Sequence, residues 1–140
     1  MVNRKDERYI RMVFELAKDI EPVRGSRMAA MLVKGKTPVA YGFNHKKSNP
    51  FQARFAKKPE AVYFHAEVHA IKNALRKISV EDLKQCTLYI ARAKKGDGHS
   101  NRRHWHYGEA KPCSGCANCI NEFELKSVVY TTDEQTIEKQ

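Results

Sequence analysis

A layered α/β fold, a mixed sheet with helices on both faces, is predicted by three features of this sequence. The first is the order of its patterns: helix, strand, strand, helix, strand, helix, strand. The second is that the apolar runs 28–33 and 37–43 are nearly continuous, where a sheet wetted on one face would alternate. The third is size: 140 residues, 41% of them hydrophobic, suit one domain (residues 1–140) around one core.

Residues 3–20 read as the opening helix. Tyr9, Met12, Val13, Leu16 and Ala17 recur at helical spacing, Ile10, Phe14 and Ile20 widen the stripe, and Pro22 and Gly25 end it. Lys34-Gly35-Lys36 between the two apolar runs predicts a hairpin. Asn44 closes its second strand, where an Asn serves either as a turn residue or as a side chain reaching into a site. The connection 45–63 is long and rich in Lys, Pro and aromatic residues, and connections beyond about 12–15 residues are usually functional or disordered. In it Phe51 and Phe55 interleave with Arg54, Lys57 and Lys58, a mix that either stacks bases and holds phosphates or pins the loop to the core.

A second helix is expected over about 65–78, where Ala66, Val68, Ala70, Ile71, Ala74, Leu75 and Ile78 form an apolar pattern. A turn or short helical stretch follows at 79–83. Residues 86–93 read as a strand with Leu88 and Ile90 on one face and Tyr89 on the other, and Cys86 as a small buried hydrophobe. Residues 94–111 read as a loop hinged at Gly96, Gly98 and Gly108. A third helix is expected over 113–123 and a last strand over 126–131, the latter from the β-prone Ser127-Val128-Val129-Tyr130. The acidic tail after Thr132 is expected to be solvated or to form a short helix.

The formal net charge of +10 favours anionic partners such as nucleotides, nucleic acids or phosphorylated metabolites, the plain alternative being a solvated basic surface. The asymmetry is local: positions 22–59 hold nine Lys or Arg and no Asp or Glu. The charged start, residues 1–8, does not read as a signal peptide, and no apolar run approaches the roughly 18 residues of a membrane span. Four cysteines without a disulfide-like framework suit a reducing compartment, which points to the cytoplasm.

One constellation carries chemistry. His65-Ala66-Glu67 is answered 48 positions after His65 by Pro112-Cys113-Ser114-Gly115-Cys116. His65, Cys113 and Cys116 are three ligands of the types zinc takes, and a catalytic zinc keeps three protein ligands, leaves the fourth place to water and lowers that water's pKa. Glu67 is then left to move protons. Residues two apart on a helix point to nearly opposite sides, so His65 and Glu67 can serve one centre only at the first turn, with the metal off the helix end. Pro112 marks a second helix start, and two helix N-termini facing one metal favour thiolate over thiol. His69, four residues after His65, does not complete a zincin motif, because Glu67 stands two places after His65 and not one. Cys119 lies nearly two turns into its helix, facing the core; as a fourth ligand it would close the site into a structural one.

H-x-E followed by P-C-x-x-C is the signature of zinc nucleobase deaminases. The chain resembles the cytidine deaminase superfamily, on the side that holds deoxycytidylate deaminases and tRNA adenosine deaminases. The resemblance runs from about Arg27 to Thr131, and the chain is also similar to deaminases carried by large phages. It implies a three-layer cytidine deaminase-like fold, a Zn2+ cofactor and hydrolytic deamination of a cytosine nucleotide, with dCMP to dUMP first. It also implies that Asn44 contacts the substrate sugar, that backbone groups of Ala66 and Cys113 hold the base and the attacking oxygen, and that the protein forms homo-oligomers. The loop leading to the cysteines offers Arg102 and Arg103 as forks for phosphate and Trp105 as a stacking face, or is a plain exposed basic loop. A deaminase acting on a base within RNA or single-stranded DNA, or on a free or modified base, stays open. So does a non-catalytic zinc-stabilised binding protein with all four ligand places closed.

Overall fold

The protein is described here from a computed structural model over residues 2–20, 26–44, 65–96 and 104–140. The connection 45–63 with Phe51, Arg54, Phe55, Lys57 and Lys58, the helix-ending Pro22 and Gly25, and Gly98, Arg102 and Arg103 lie outside the described residues.

Helix α1 (Arg4–Lys18) begins at a capping box. The Asn3 side chain accepts from the Asp6 amide at 2.9 Å and the Asp6 carboxylate accepts from the Asn3 amide at 3.2 Å, giving partners to two amides that a helix start leaves bare. Strands β1 (Arg27–Lys34) and β2 (Thr37–Phe43) form the expected antiparallel hairpin, with Gly35 turning the chain at φ +64°. There follow α2 (Ala66–Ala74), α3 (Val80–Leu83), β3 (Cys86–Lys95), β4 (Trp105–Gly108), α4 (Ser114–Glu122), β5 (Ser127–Thr131) and β6 (Ile137–Lys139).

The six described strands make one sheet in the order β2-β1-β3-β5-β6, with β4 also on β3. Only β3 and β5 run parallel. Strand β3 shares its far edge between two partners: Thr87 to Ile90 pair with β5, and Arg92 to Lys95 pair with β4. Alternation along β3 sends Leu88 and Ile90 into a core under α2 and α4, and Tyr89 and Ala91 into a second core under α1. Helices therefore cover both faces, as the near-continuous apolar strands required. No helix among the described residues is long and apolar enough to cross a membrane.

Three expectations are corrected. Helix α2 ends at Ala74, and the chain goes on to Ile78 in turns closed by Lys77 and Ile78 amides on the Ala74 carbonyl; Leu75 and Ile78 still pack on the core, so the apolar pattern reported burial beyond the helix. The stretch read as one loop over 94–111 contains β4. Strand β3 runs on to Lys95, and the Gln135 side chain steadies the return strand by bonding both the Tyr107 amide (2.8 Å) and the Tyr107 carbonyl (2.9 Å). The acidic tail is solvated over most of its length, residues 133–136, 138 and 140 being exposed, but it is not helical: Thr132 and Gln135 (φ +63°) turn it, and β6 pairs with β5 while Ile137 packs on the α1-side core.

The tail also closes a network around Asp6, which is 2% exposed. Its carboxylate accepts from the Tyr89 hydroxyl at 2.7 Å and from Lys139 Nζ at 3.1 Å. Burial pushes the Asp6 carboxyl up, but hydrogen bonds from Tyr89, the Asn3 amide and Lys139 outweigh it and hold the group below the usual carboxylate range. Its ionised form therefore adds stability that is fully present above the unfolded pKa of about 4 and is lost as pH falls through the lower folded value. Asp6→Asn is expected to lower unfolding free energy by about 1.5–3 kcal/mol near neutral pH. The gap from the wild type should shrink as urea titrations are taken from about pH 6 to pH 3; a gap that stays constant contradicts this account.

Candidate active site

A ladder of side-chain to backbone bonds fixes α2 on β2. Lys77 donates to the Val39 carbonyl (3.3 Å), Asn73 to the Tyr41 carbonyl (2.8 Å), and the Phe43 amide donates to His69 Nδ1 (3.0 Å). Each step takes two strand residues, about 6.6 Å, against four helix residues, about 6.0 Å, so the two periods nearly match. Gly42 is the floor of this contact. A Cβ there would run into the Ala66 carbonyl and the Ala70 amide, and would lie 2.9 Å from Ala70 Cα, all of them backbone. Gly42→Ala is expected to lower stability by about 1–3 kcal/mol or more, because helix and strand must separate. The check is a thermal or urea melt; an unchanged midpoint would remove Gly42 from the contact.

The ladder aims the start of α2 at the start of α4. His65 is the N-cap of α2 (φ −91°, ψ 152°) and Cys113 the N-cap of α4 (φ −69°, ψ 172°), and neither side chain caps its own helix. His65 Nδ1 lies 3.3 Å from Cys116 Sγ and 3.6 Å from Cys113 Sγ, and donor atoms of the three residues fall within 4.8 Å of one another. One imidazole nitrogen and two sulfurs at this closeness match the donor set of zinc. Beside them Glu67 is 2% exposed, and its Oε1 has no partner among the described residues. A buried carboxylate oxygen without a donor there suits a site that a ligand completes. The residues present fit the metal.

Electrostatics inside the group follow from the pairing. Hydrogen bonding to Cys116, then to His65, holds the Cys113 thiol down to about 3. The same pairing with Cys113, reinforced by burial, pushes Cys116 above the usual thiol range. The hydrogen bond to Cys113 raises His65 against the effect of burial. Burial raises Glu67, with His65 pulling the other way. A carboxyl tuned upward beside metal ligands suits a group that must both take and give protons.

The other expected residues are spread around this centre. Ala66 is the first residue of α2, so its amide has no intrahelical acceptor and faces the open helix end. The Asn44 side chain clamps the hairpin, accepting from the Met28 amide and donating to the Ser26 carbonyl, both at 3.0 Å. His69 is spent on the ladder. Cys119 is buried in the core below α4, as its spacing implied. Trp105 packs toward α1, its ring centroid 5.3 Å from the Arg27 guanidinium and 5.6 Å from Lys95 Nζ. Gly42 was missed by the sequence reading, although a glycine inside a strand signals close backbone approach. Arg92 was missed too, being one Arg among 26 basic residues.

A layered α/β sheet that brings His, Cys and Cys to two helix ends beside a buried Glu defines a zinc-dependent deaminase of the cytidine deaminase superfamily. The chain belongs to the family described as the cytidine and deoxycytidylate deaminase zinc-binding region, whose model matches residues 3–132. Among solved structures it is similar to the dCMP deaminase of cyanophage S-TIM5 in apo form, with 20% identity and TM-score 0.61 over 94% of this chain and 86% of that one. The same cyanophage enzyme in complex with dCMP and dUMP gives 17% identity and TM-score 0.59 over 94% and 84%. The cytidine deaminase of Burkholderia pseudomallei gives 18% and 0.57 over 93% and 90%. At these identities the likeness is one of fold. Comparison with curated protein sequences finds no match.

Proposed function

We propose that the chain hydrolytically deaminates a cytosine nucleotide, with dCMP to dUMP as the favoured reaction. The observation that carries this reading is Glu67, a buried carboxylate with an unpartnered oxygen beside three zinc donors. When bound by His65, Cys113 and Cys116, zinc supplies a Lewis acid that makes water nucleophilic near neutral pH. Glu67 takes a proton from the attacking water and returns protons to the ring nitrogen and the departing amine. The Ala66 and Cys113 amides hold the base and the attacking oxygen, and Asn44 fixes the sugar at the end of β2. Arg102 and Arg103, outside the described residues, stay in this reading as phosphate contacts on sequence grounds alone; Trp105 would have to leave Arg27 and Lys95 to stack on a base. The net charge of +10 and the likeness to an enzyme whose complex holds dCMP and dUMP support a nucleotide. The reading includes a homo-oligomer, which sedimentation of the zinc-loaded protein checks. The deciding experiment is ammonia release from nucleotides, nucleosides, bases and oligonucleotides, where turnover of oligonucleotides alone would overturn it.

One observation favours a base within RNA or single-stranded DNA instead. Arg4, Lys5, Arg8, Arg11 and Lys36 line a single surface hollow with no acid among its lining residues. Binding that falls steeply with salt would support this second reading, since many phosphate contacts release many counterions.

A further inference from the structure

Among the described residues two buried side-chain polar atoms lack a partner: Glu67 Oε1 and Arg92 Nε. We propose that Arg92 adds a buried contact to the phosphate of a nucleotide substrate, beyond any made by Arg102 and Arg103, and so sets the preference for a nucleotide over its nucleoside. This rests on deamination at the His65, Glu67, Cys113 and Cys116 site.

Placement is the first support. Arg92 follows Leu88 and Ile90 in the alternation along β3, so it stands on the face that carries α2 and α4. It is in register with Met28 on one side and Gly108 on the other. Met28 in turn is tied to Asn44, whose backbone amide donates to the Met28 carbonyl at 3.3 Å and whose side-chain Oδ1 accepts from the Met28 amide at 3.0 Å. Asn44, Met28, Arg92 and Gly108 thus form one line across four strands. Phe43 is level with His69 on the ladder, so this line runs beneath the start of α2, where His65 and Ala66 stand. Two strand spacings, about 10 Å, separate Arg92 from Asn44. A nucleotide laid across the strands can meet both.

Room and rigidity are the second support. A Cβ on Gly108 would lie 2.8 Å from Lys94 Cδ, 2.9 Å from Arg92 Cδ and 3.0 Å from Arg92 Cγ, so the Arg92 stem shares with that of Lys94 the space that the glycine leaves open. Thr131 locks the backbone on both sides, its hydroxyl accepting from the Arg92 amide (3.2 Å) and donating to the Gly108 carbonyl (2.7 Å). The third support is charge. Lys18, Lys34, Lys84, Lys94 and Lys139 each reach a carboxylate, while Arg92 makes no ion pair among the described residues. A partly buried cation without an anion is unfavourable, and a guanidinium fork matches phosphate oxygens in pairs.

The test uses zinc-loaded wild type, Arg92→Met, which keeps the stem, and Arg92→Lys, which keeps the charge. Each is assayed on monophosphate and nucleoside pairs of cytosine, adenine and guanine. For whichever base is turned over, Arg92→Met should lose about 10–100-fold in kcat/KM on the monophosphate, the worth of one charge-assisted contact, with the nucleoside unchanged and Lys recovering part. Equal losses on both members of a pair, or no loss on the monophosphate, overturn the proposal while deamination stands. If the wild type turns over no pair, the deamination reading fails by itself. Calorimetric titration with dCMP and deoxycytidine then decides on Arg92: tighter binding of dCMP that Arg92→Met abolishes supports the proposal, and equal binding of the two ligands overturns it. Melting of Arg92→Met should match wild type, since no ion pair among the described residues is lost.

Discussion

Replacing Glu67 by Gln is expected to leave zinc stoichiometric and substrate affinity close to wild type, while single-turnover deamination falls by about 10²–10⁴-fold or more. The amide keeps the shape of the carboxylate and fits the same buried place, but it cannot accept a proton. Because one group serves several transfers in a cycle, the loss should sit toward the upper end of that range. Burial removes the simplest alternative, a solvated surface carboxylate with no role, since Glu67 is 2% exposed. Zinc content, equilibrium binding and single-turnover rates are measured together. Near-normal turnover would sink the proton role. Loss of zinc would instead make Glu67 a ligand and redraw the centre.

The two cysteines should fail in different ways. Cys113 is exposed and Cys116 is fully buried in the core below α4. Either change to Ala removes one of three ligands, and the loss of zinc affinity should exceed the roughly 10–100-fold typical of partners that only orient a ligand. Activity falls to background in both. Compared with metal-free wild type, Cys113→Ala should melt unchanged, whereas Cys116→Ala should lose roughly 1–2 kcal/mol more by emptying packed space. Elemental analysis and melts of the metal-free proteins separate the two effects. Stoichiometric zinc in Cys113→Ala would remove that residue from the ligand set.

The metal centre was legible because its residues sit at helix starts, and helix starts are written locally: Pro112 before Cys113, and an apolar period running on from His65. The hairpin and α1 were legible for the same reason. What stayed hidden depends on partners distant in the chain. Trp105 to Gly108 become a strand only because β3 extends to Lys95 and Gln135 bonds Tyr107 from 28 positions away. The tail becomes a strand by pairing with β5, and its Lys139 reaches Asp6 across 133 positions. Arg92 reads as one more surface charge until the strand register sets it in line with Met28 and Gly108.

The clasp made by Thr131 reaches beyond Arg92. Its carbonyl also takes the Ala110 amide at 3.0 Å, so the chain is pinned at Gly108 and again at Ala110 before it reaches Pro112. At the far end of the hairpin the Gly96 amide meets the His104 carbonyl, which closes the β3–β4 pair on itself. Thr131 thus works as a double hinge-pin: a disturbance in β3 or β4 meets two fastenings to one residue before it can reach the helix that begins at Cys113.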